Sequence, residues 1–262
     1  MVKIHFLGTC SGTEPQPNRR HTSFIVEFNE RLFWFDAGEG CGYTAHLMGL
    51  DLLKTEAIFI SHPHMDHIGG LPHLVWAIKK LESRSTQAYC HNIKLYLPVV
   101  EIWQGVKQML FLKGRAAEGG IGFQTTRITD GVVYDEGGFK VTALHNLHLG
   151  QPNPGEPWQS FAFLIEAAGK RIIYSGDFKA MAEIDPLFDS GPVDLFLVET
   201  GHHTVEEICS YLVEKGKAVA SIGFIHHGRA ILSNPELELA KAQKIFGPKV
   251  FLAEDQMTMA PE

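Results

Sequence analysis

The stretch Ala57–Gly70, with the sequence AIFISHPHMDHIGG, decides the fold. It begins as an apolar run, Ala57–Ile60, that is typical of a buried strand, and it continues directly into three histidines and an aspartate. Pro63 favours an extended conformation at His62. Side chains two positions apart in an extended segment point to the same side, so His62 and His64 can share one metal ion.

Asp66 and His67 follow at the point where a helix is predicted to begin. They therefore project in a different direction from His62 and His64, and two ligand pairs aimed differently suit two adjacent metal ions. The alternative is a loop of four solvated polar residues. Three histidines and one aspartate at these offsets seldom arise by chance, which favours the metal interpretation.

The rest of the chain alternates between strand and helix patterns. Apolar runs rich in β-branched and aromatic residues predict strands at Lys3–Leu7, Ser23–Phe28, Arg31–Phe35, Ala57–Ile60, Ile93–Leu97, Lys140–Leu144, Ser160–Ile165, Arg171–Tyr174, Leu195–Val198, Ser221–Ile225 and Lys249–Leu252. The clearest helical patterns are Met65–Leu81, Val99–Leu112, Thr204–Lys215 and Pro235–Phe246. Glycine and proline clusters predict surface loops at Gly119–Gly122 and Gly150–Pro157. This mixture predicts one layered α/β domain over residues 1–262.

Composition limits the class of protein. The chain has 262 residues, of which 45% are apolar, enough to bury the core of one α/β domain. No apolar stretch approaches the roughly 20 residues of a spanning helix, and the first residues are typical of a strand rather than a signal peptide. We therefore expect a soluble, cytoplasmic protein that does not associate with membranes.

Charge and cysteine content argue against further classes of protein. The formal net charge of −7 argues against a surface that neutralises a long nucleic-acid backbone, while small anionic substrates remain compatible with it. The 4 cysteines lie far apart, so neither a disulfide framework nor a zinc knuckle is indicated.

Polar residues follow several of the predicted strands, just past the apolar run. They are Asp36, His145 and His148, Asp177, Glu199, and the pair His226 and His227. In α/β folds a site assembles outside strand ends, where loops converge without breaking the sheet. One shared site explains the recurrence.

Through these motifs the chain resembles the metallo-β-lactamase superfamily over nearly its full length. The His-x-His-x-Asp-His core is the most specific of the motifs. The resemblance implies a four-layer αββα sandwich, in which two mixed sheets pack face to face, helices lie outside and the metals lie at one edge. It implies that one ion is held by His62, His64 and His148, and the second by Asp66, His67 and His226, with Asp177 bridging them. It also implies that Asp36 supports the ligands from behind.

Two of these assignments stay open because histidines occur in neighbouring pairs. Spacing and flanking residues favour His148 over His145, and they favour His226 over His227. Neutral imidazoles with few carboxylates suit two Zn²⁺ ions, although Mn²⁺ or Fe²⁺ can occupy similar sites. The resemblance implies that a hydroxide bridging the metals attacks the substrate.

The N-terminal motif narrows the branch. Leu7–Pro15, Arg19 and Arg20, and Asp36–Gly40 form a pattern similar to ribonuclease Z and its phosphodiesterase relatives, which implies a phosphodiester substrate. Two departures weaken a role in tRNA processing. Asp177 lies only 29 positions after His148, too close for the long tRNA-gripping arm of ribonuclease Z, and Val198–His203 replaces that family's His-Glu-Ala-Thr element.

A small or cyclic phosphodiester is therefore the expected substrate, and nucleic acid is not favoured. The alternatives are ribonuclease Z-like processing of tRNA 3′ ends, or hydrolysis of a lactone or thioester on the same fold. A binding protein that has lost activity has no reason to keep the complete ligand set. A redox protein of this fold carries a flavin domain as well, which 262 residues cannot contain. The sequence allows a homodimer without fixing the oligomeric state.

The candidate catalytic residues are Asp66 and His203. Glu199, together with His202 or His203, can supply a general acid and a carboxylate that orients it, and His203 is preferred. The alternative is that both histidines only flank the helix predicted from Thr204.

Overall fold

Two β-sheets of seven strands each form the centre of the molecule, within residues 2–110 and 120–261 that the computed structural model describes. The strands are β1 (Val2–Gly8), β2 (Ser23–Phe28), β3 (Arg31–Phe35), β4 (Thr55–Phe59), β5 (Cys90–Leu97), β6 (Gly120–Arg127), β7 (Gly131–Glu136), β8 (Phe139–His145), β9 (Phe161–Ala167), β10 (Lys170–Tyr174), β11 (Val193–Thr200), β12 (Val219–His227), β13 (Val250–Leu252) and β14 (Thr258–Met259). One sheet has the order β14-β1-β2-β3-β4-β5-β6, and the other has the order β13-β12-β11-β10-β9-β8-β7.

Both sheets are mixed, and they share one pattern. In the first, the pairs from β14 to β3 are antiparallel and the pairs from β3 to β6 are parallel. In the second, the pairs from β7 to β10 are antiparallel and the pairs from β10 to β13 are parallel. The strands β4, β10 and β12, which lead to most of the predicted ligands, take part in parallel pairs, whereas His148 follows the antiparallel strand β8.

Alternation along the strands divides the apolar side chains between two layers. In β3, Phe33 and Phe35 face the core between the sheets, whereas Leu32 and Trp34 face the opposite side. The core between the sheets is largely aromatic, and the Phe33 ring of one sheet stacks on the Phe139 ring of the other at 3.7 Å between centroids. The two sheets therefore pack face to face.

Helices cover both outer faces. They are α1 (Cys41–Leu47), α2 (Met65–Ile68), α3 (Leu71–Arg84), α4 (Ile102–Met109), α5 (Asp185–Asp189), α6 (Val205–Glu214), α7 (Arg229–Ser233) and α8 (Pro235–Phe246), with short 3-10 helices at Leu52–Lys54 and Met181–Ile184. Buried residues of α1, α3 and α4 share a cluster with the outer face of the first sheet, and those of α5 to α8 share one with the second. The four layers confirm the predicted αββα sandwich. Within the described residues, the structure has no helix that is both long and apolar enough to cross a membrane.

The predicted strands are confirmed, but three further strands, β6, β7 and β14, were not predicted. The loop predicted at Gly119–Gly122 is wrong from residue 120 onward, because β6 begins there and pairs in parallel with β5; Gly119 lies outside the described residues. Ile121 packs into the core beneath α3, which offsets the poor strand propensity of its two glycine neighbours.

The helix predicted at Met65–Leu81 is divided into α2 and α3 at Gly69 and Gly70. A Cβ on Gly70 would lie 2.2 Å from the carbonyl oxygen of Gly38, so only glycine permits this approach to the loop after β3. The break leaves α2 as a short helix. The pattern at Val99–Leu112 becomes α4, and its residues 111 and 112 lie outside the described part of the chain.

Candidate metal centre

The predicted ligands meet at one edge of the sandwich, where loops from both sheets converge. His62 and His64 follow β4, and Asp66 and His67 lie on α2 of the same connection. The second sheet supplies the others: His148 after β8, Asp177 after β10, and His226 near the end of β12.

One group of donor atoms consists of three imidazole nitrogens. His62 Nε2 lies 3.0 Å from His64 Nδ1, and His148 Nε2 lies 3.2 Å from the same His64 nitrogen. Ligands about 2.0–2.1 Å from a tetrahedral zinc ion lie about 3.4 Å from one another. The spacing of these nitrogens is therefore close to that of three ligands of one ion.

A second group lies beside it. Asp66 Oδ2 is 3.1 Å from His226 Nε2 and 3.4 Å from His67 Nε2. Gly12 allows the N-terminal loop to pass close to this group, since a Cβ there would lie 2.9 Å from Asp66 Oδ2. Two imidazoles and one carboxylate thus converge on a second position.

Asp177 lies between the two groups. Its Oδ1 is 3.3 Å from His67 Nε2, and its Oδ2 is 3.4 Å from His226 Nε2. The same Oδ2 lies 3.8 Å from His62 Nε2 and 3.7 Å from His148 Nε2. One carboxylate therefore reaches donor atoms of both groups, as expected for a residue that bridges two ions.

Buried atoms without partners support a cation at this position. His67 Nε2 and Asp177 Oδ1 are buried, and neither has a hydrogen-bond partner among the described residues. Burial raises the pKa of Asp177, but His226 and His67 outweigh it and hold the pKa well below its ordinary value. Conversely, burial lowers the pKa of His226, and Asp177 and Asp66 raise it to about 9. The carboxylates therefore stabilise positive charge here, and the donor set fits divalent metal ions.

Asp36 holds the ligands from behind, as the resemblance implied. The hydroxyl of Tyr174 donates to Asp36 Oδ2 at 2.6 Å, and the backbone N–H of Ser61 donates to Oδ1 at 2.6 Å. His67 Nδ1 lies 2.7 Å from Asp36 Oδ2. With its Nδ1–H directed to Asp36, the His67 ring presents its Nε2 lone pair to the cluster.

The structure separates the members of the neighbouring histidine pairs. His145 Nδ1 lies 2.6 Å from Asp130 Oδ2, and its ring stacks on Trp158 at 3.9 Å, outside the cluster. His227 Nε2 donates to the carbonyl oxygen of Ala253 at 2.8 Å. The structure therefore places His148 and His226 in the cluster and His145 and His227 outside it.

A local irregularity in β12 explains why His226 and His227 point apart. Glu199 is paired with Ile225, and the next residue, Thr200, is paired with His227, so His226 bulges from the ladder. His226 has a φ of 54°, in the left-handed region that residues other than glycine seldom adopt. This bulge turns the His226 ring toward the metal positions while His227 stays in the sheet.

The candidate general acids are also separated. His202 Nδ1 lies 3.0 Å from Glu199 Oε1 and 3.7 Å from Asp177 Oδ2, at the rim of the cluster. His203 Nε2 instead donates to the carbonyl oxygen of Phe178 at 3.1 Å, and its ring stacks on the Phe178 ring. His202 therefore lies beside the cluster, whereas the ring of His203, the residue preferred from the sequence, is turned toward Phe178.

Sequence reasoning missed two polar groups that support the site, Ser61 and Tyr174. Both are buried and both donate a side-chain hydroxyl to Asp36. The sequence carried a signal for Tyr174, because this residue ends an apolar strand three positions before Asp177 and its buried hydroxyl needs a hydrogen-bond partner.

Comparisons with known proteins identify a family and several relatives. A family model described as "Anti-Pycsar protein Apyc1" matches residues 2–212. A ribonuclease Z from Listeria monocytogenes serovar 1/2a is 37% identical over 145 residues, which are 54% of this chain and 44% of that protein. The chain spans less than half the length of the first curated relatives that it matches, all of them ribonucleases Z.

Two solved structures share the fold across almost the whole chain. The metallo-β-lactamase fold protein YhfI from Bacillus subtilis superposes with a TM-score of 0.75 at 18% identity, covering 98% of each chain. The short form of human tRNase Z superposes with a TM-score of 0.70 at 20% identity, covering 99% of each chain.

Proposed function

The chain belongs to the family of the anti-Pycsar protein Apyc1, on the ribonuclease Z-like branch of the metallo-β-lactamase superfamily, and on this premise we propose that it hydrolyses small or cyclic phosphodiesters. The family membership and the His/Asp cluster support metal-dependent hydrolysis. The proposal concerns the substrate.

The segment between His148 and Asp177 carries the proposal. It consists of the loop at Gly150–Pro157 and the antiparallel hairpin of β9 and β10, so no arm projects from it. The loop has one acidic residue, Glu156, and no basic one. Gripping a folded RNA requires several contacts from lysine or arginine to phosphates, and this loop supplies none.

The other basic residues of this segment are engaged in the sheet. Lys170 Nζ donates to Asp194 Oδ1 at 3.1 Å, and Arg171 Nη1 donates to Glu166 Oε1 at 3.0 Å. A small diester brings a single negative charge and needs only the cluster itself. This supports a small substrate over a polyanion.

The side chains of the site have different roles in the proposed hydrolysis. Two divalent ions, when bound by His62, His64, His148, Asp66, His67, His226 and Asp177, activate water as a nucleophile and stabilise negative charge on the phosphoryl oxygens. His202, whose side chain is 47% exposed, lies at the open rim and can deliver a proton to the leaving oxygen. Glu199 is fully buried and orients His202 through Nδ1, which leaves Nε2 to carry that proton.

The dependence on the leaving group tests this role for His202. An alkoxide leaving from a 3′,5′-cyclic nucleotide needs a proton, whereas p-nitrophenolate leaves without one. We expect His202→Ala to lower kcat on a cyclic nucleotide by about 10²–10⁴-fold and to affect bis-p-nitrophenyl phosphate much less. His203→Ala is the matched control and should change neither. Equal losses on both substrates in His202→Ala would contradict a role as general acid.

Removal of tRNA 3′ trailers is the second candidate, and the identity to a ribonuclease Z over 145 residues favours it. The two are separated by measuring kcat/KM for precursor tRNA, a cyclic nucleotide and bis-p-nitrophenyl phosphate at equal metal content and salt. We expect the small diesters to be the better substrates. Efficient, site-specific trailer removal with poor use of the diesters would reverse the proposal in favour of the tRNA-processing activity.

A further inference from the structure

A further group of donor atoms adjoins the metal centre. Asp177, Glu199, His202 and His226 each contribute an atom, and these atoms lie within 4.8 Å of one another. Glu199 and His202 belong to neither of the two ligand groups described above. The group therefore offers two donors that a dinuclear centre leaves available.

The geometry of the two donors suits a chelate. Glu199 Oε1 and His202 Nδ1 are 3.0 Å apart, and Asp177 Oδ2 lies 3.7 Å from the same nitrogen. The first separation falls within the 3.0–3.4 Å found for the atoms of the other two groups, and the second is 0.3 Å longer than the largest of these. One imidazole and two carboxylates are a donor set that zinc accepts.

Two hydrogen bonds fix the position of Glu199. Its backbone N–H donates to Ser175 Oγ at 3.1 Å, and its Oε2 accepts the backbone N–H of His202 at 2.8 Å. The carboxylate is fully buried, so it cannot swing out to solvent, whereas His202 lies half-exposed at the rim. An ion arriving from solvent therefore meets a fixed carboxylate and an accessible imidazole.

A buried nitrogen of His226 also lies near the Glu199 carboxylate. Within the part of the chain that the structure describes, His226 Nδ1 is buried without a hydrogen-bond partner, and it lies 3.7 Å from Glu199 Oε2, which is too far for a hydrogen bond. With Nε2 directed to a metal position, this nitrogen carries the proton of the neutral ring and needs an acceptor such as a water. The space beside Glu199 is thus incompletely satisfied by the chain itself.

We propose that Glu199 and His202, with Asp177, form a third, inhibitory site for a zinc-class divalent cation beside the two-ion centre. Binding there replaces the proton on His202 Nδ1 with the cation and releases that proton to solvent. The cation thereby takes the place of the hydrogen bond with Glu199 that orients His202 for proton transfer. Excess zinc would therefore inhibit the enzyme. This inference rests on the proposed function only for the inhibition, since the binding itself is independent of any substrate.

Binding stoichiometry is the first test. The protein with two ions bound is dialysed against rising free Zn²⁺ at neutral pH, and bound zinc is counted by elemental analysis. We expect a third, weaker equivalent in the wild type and in the control His203→Ala. His202→Ala and Glu199→Gln should keep two equivalents and bind the third at least tenfold more weakly. A wild type that stops at two, or a third equivalent that survives in both variants, would overturn the proposal.

Inhibition is the second test. Free Zn²⁺ beyond two equivalents should inhibit cyclic nucleotide hydrolysis more strongly than hydrolysis of bis-p-nitrophenyl phosphate, and the residual activity of His202→Ala should be insensitive to it. If the chain cleaves no diester but still binds the third ion through His202, the site stands and the proposed function fails. If it cleaves diesters and binds only two ions, the third site fails alone.

Discussion

Single side chains decide which residues reach the metal positions, and Tyr174 is one of them. Its hydroxyl crosses from the second sheet to donate to Asp36 of the first sheet, which in turn orients His67. Tyr174→Phe leaves a buried carboxylate short of one donor, a loss of about 1–3 kcal/mol of unfolding free energy. We expect weaker binding of the ion held by His67, measured by competition with a chelating dye.

The matched control is Tyr134→Phe. Tyr134 is also buried, and its hydroxyl donates to a carboxylate, Glu56, that belongs to none of the donor groups. This variant should keep the wild-type affinity for both ions. If Tyr174→Phe also keeps it, Tyr174 contributes only to packing.

The neighbouring histidines provide a second test at the scale of the residue. His148→Ala removes a nitrogen 3.2 Å from His64 Nδ1 and should lower occupancy of one ion position, whereas Asp177→Ala should lower both. His145→Ala removes a ring that binds Asp130 and should leave two ions bound. Elemental analysis of the three purified variants gives the answer, and loss of an ion from His145→Ala would reverse the assignment.

The sequence predicted which side chains come together more fully than it predicted where their rings point. The run from His62 to His67 was informative because strand and helix geometry fix its directions over a few residues. His202 and His203 could not be distinguished, because their directions depend on a turn whose course is set by contacts with Phe178 and Glu199. The bulge at His226 is likewise a tertiary feature without a local signature.

At the scale of the element, the break between α2 and α3 positions Asp66 and His67. A methyl group at Gly70 would collide with the backbone of Gly38, which cannot move aside as a flexible side chain would. Gly70→Ala should therefore destabilise the protein by about 1–3 kcal/mol and reduce metal affinity, because α2 must shift. Urea unfolding and metal titration measure the two effects.

Gly105 is the matched control for this substitution. It lies in α4, and a Cβ there would have no neighbour within 4 Å among the described residues outside the helix's own backbone. Gly105→Ala should stabilise the protein by about 0.5–1 kcal/mol, since alanine loses less backbone entropy in a helix. Destabilisation by both substitutions alike would show that the contact at Gly38 is not the cause.

Elements with a clear apolar period were predicted well, and those without one were not. Strands β2 and β3 match their predicted bounds because alternating large apolar residues fill two cores. Strand β6 carries two glycines and β7 is mostly exposed, so neither shows the pattern of a half-buried strand. Pairing with β5 and β8, respectively, overrides their weak local preference.

At the scale of the whole molecule, the metal ions should stabilise the packing of the two sheets, because each sheet supplies some of their ligands. His62 and His67 come from the first sheet's connection, and Asp177 and His226 come from the second. Removing the ions with a chelator should lower Tm, because ligands bound only by the native state stabilise it by about 4 kcal/mol at a thousandfold excess over Kd. Differential scanning calorimetry measures the shift, which zinc should restore. A chelator that shifts the Tm of Asp177→Ala as far as that of the wild type would argue against this origin.

The division of the two sheets along the chain has a consequence for biosynthesis. Apart from β14, the first sheet is made entirely of strands that precede every strand of the second. On the ribosome, Phe24, Phe35 and Phe59 therefore emerge long before the aromatic face that covers them has been translated. Such a nascent intermediate exposes apolar surface and is prone to aggregate, so a chaperone that shields this face during translation should raise the yield of soluble protein.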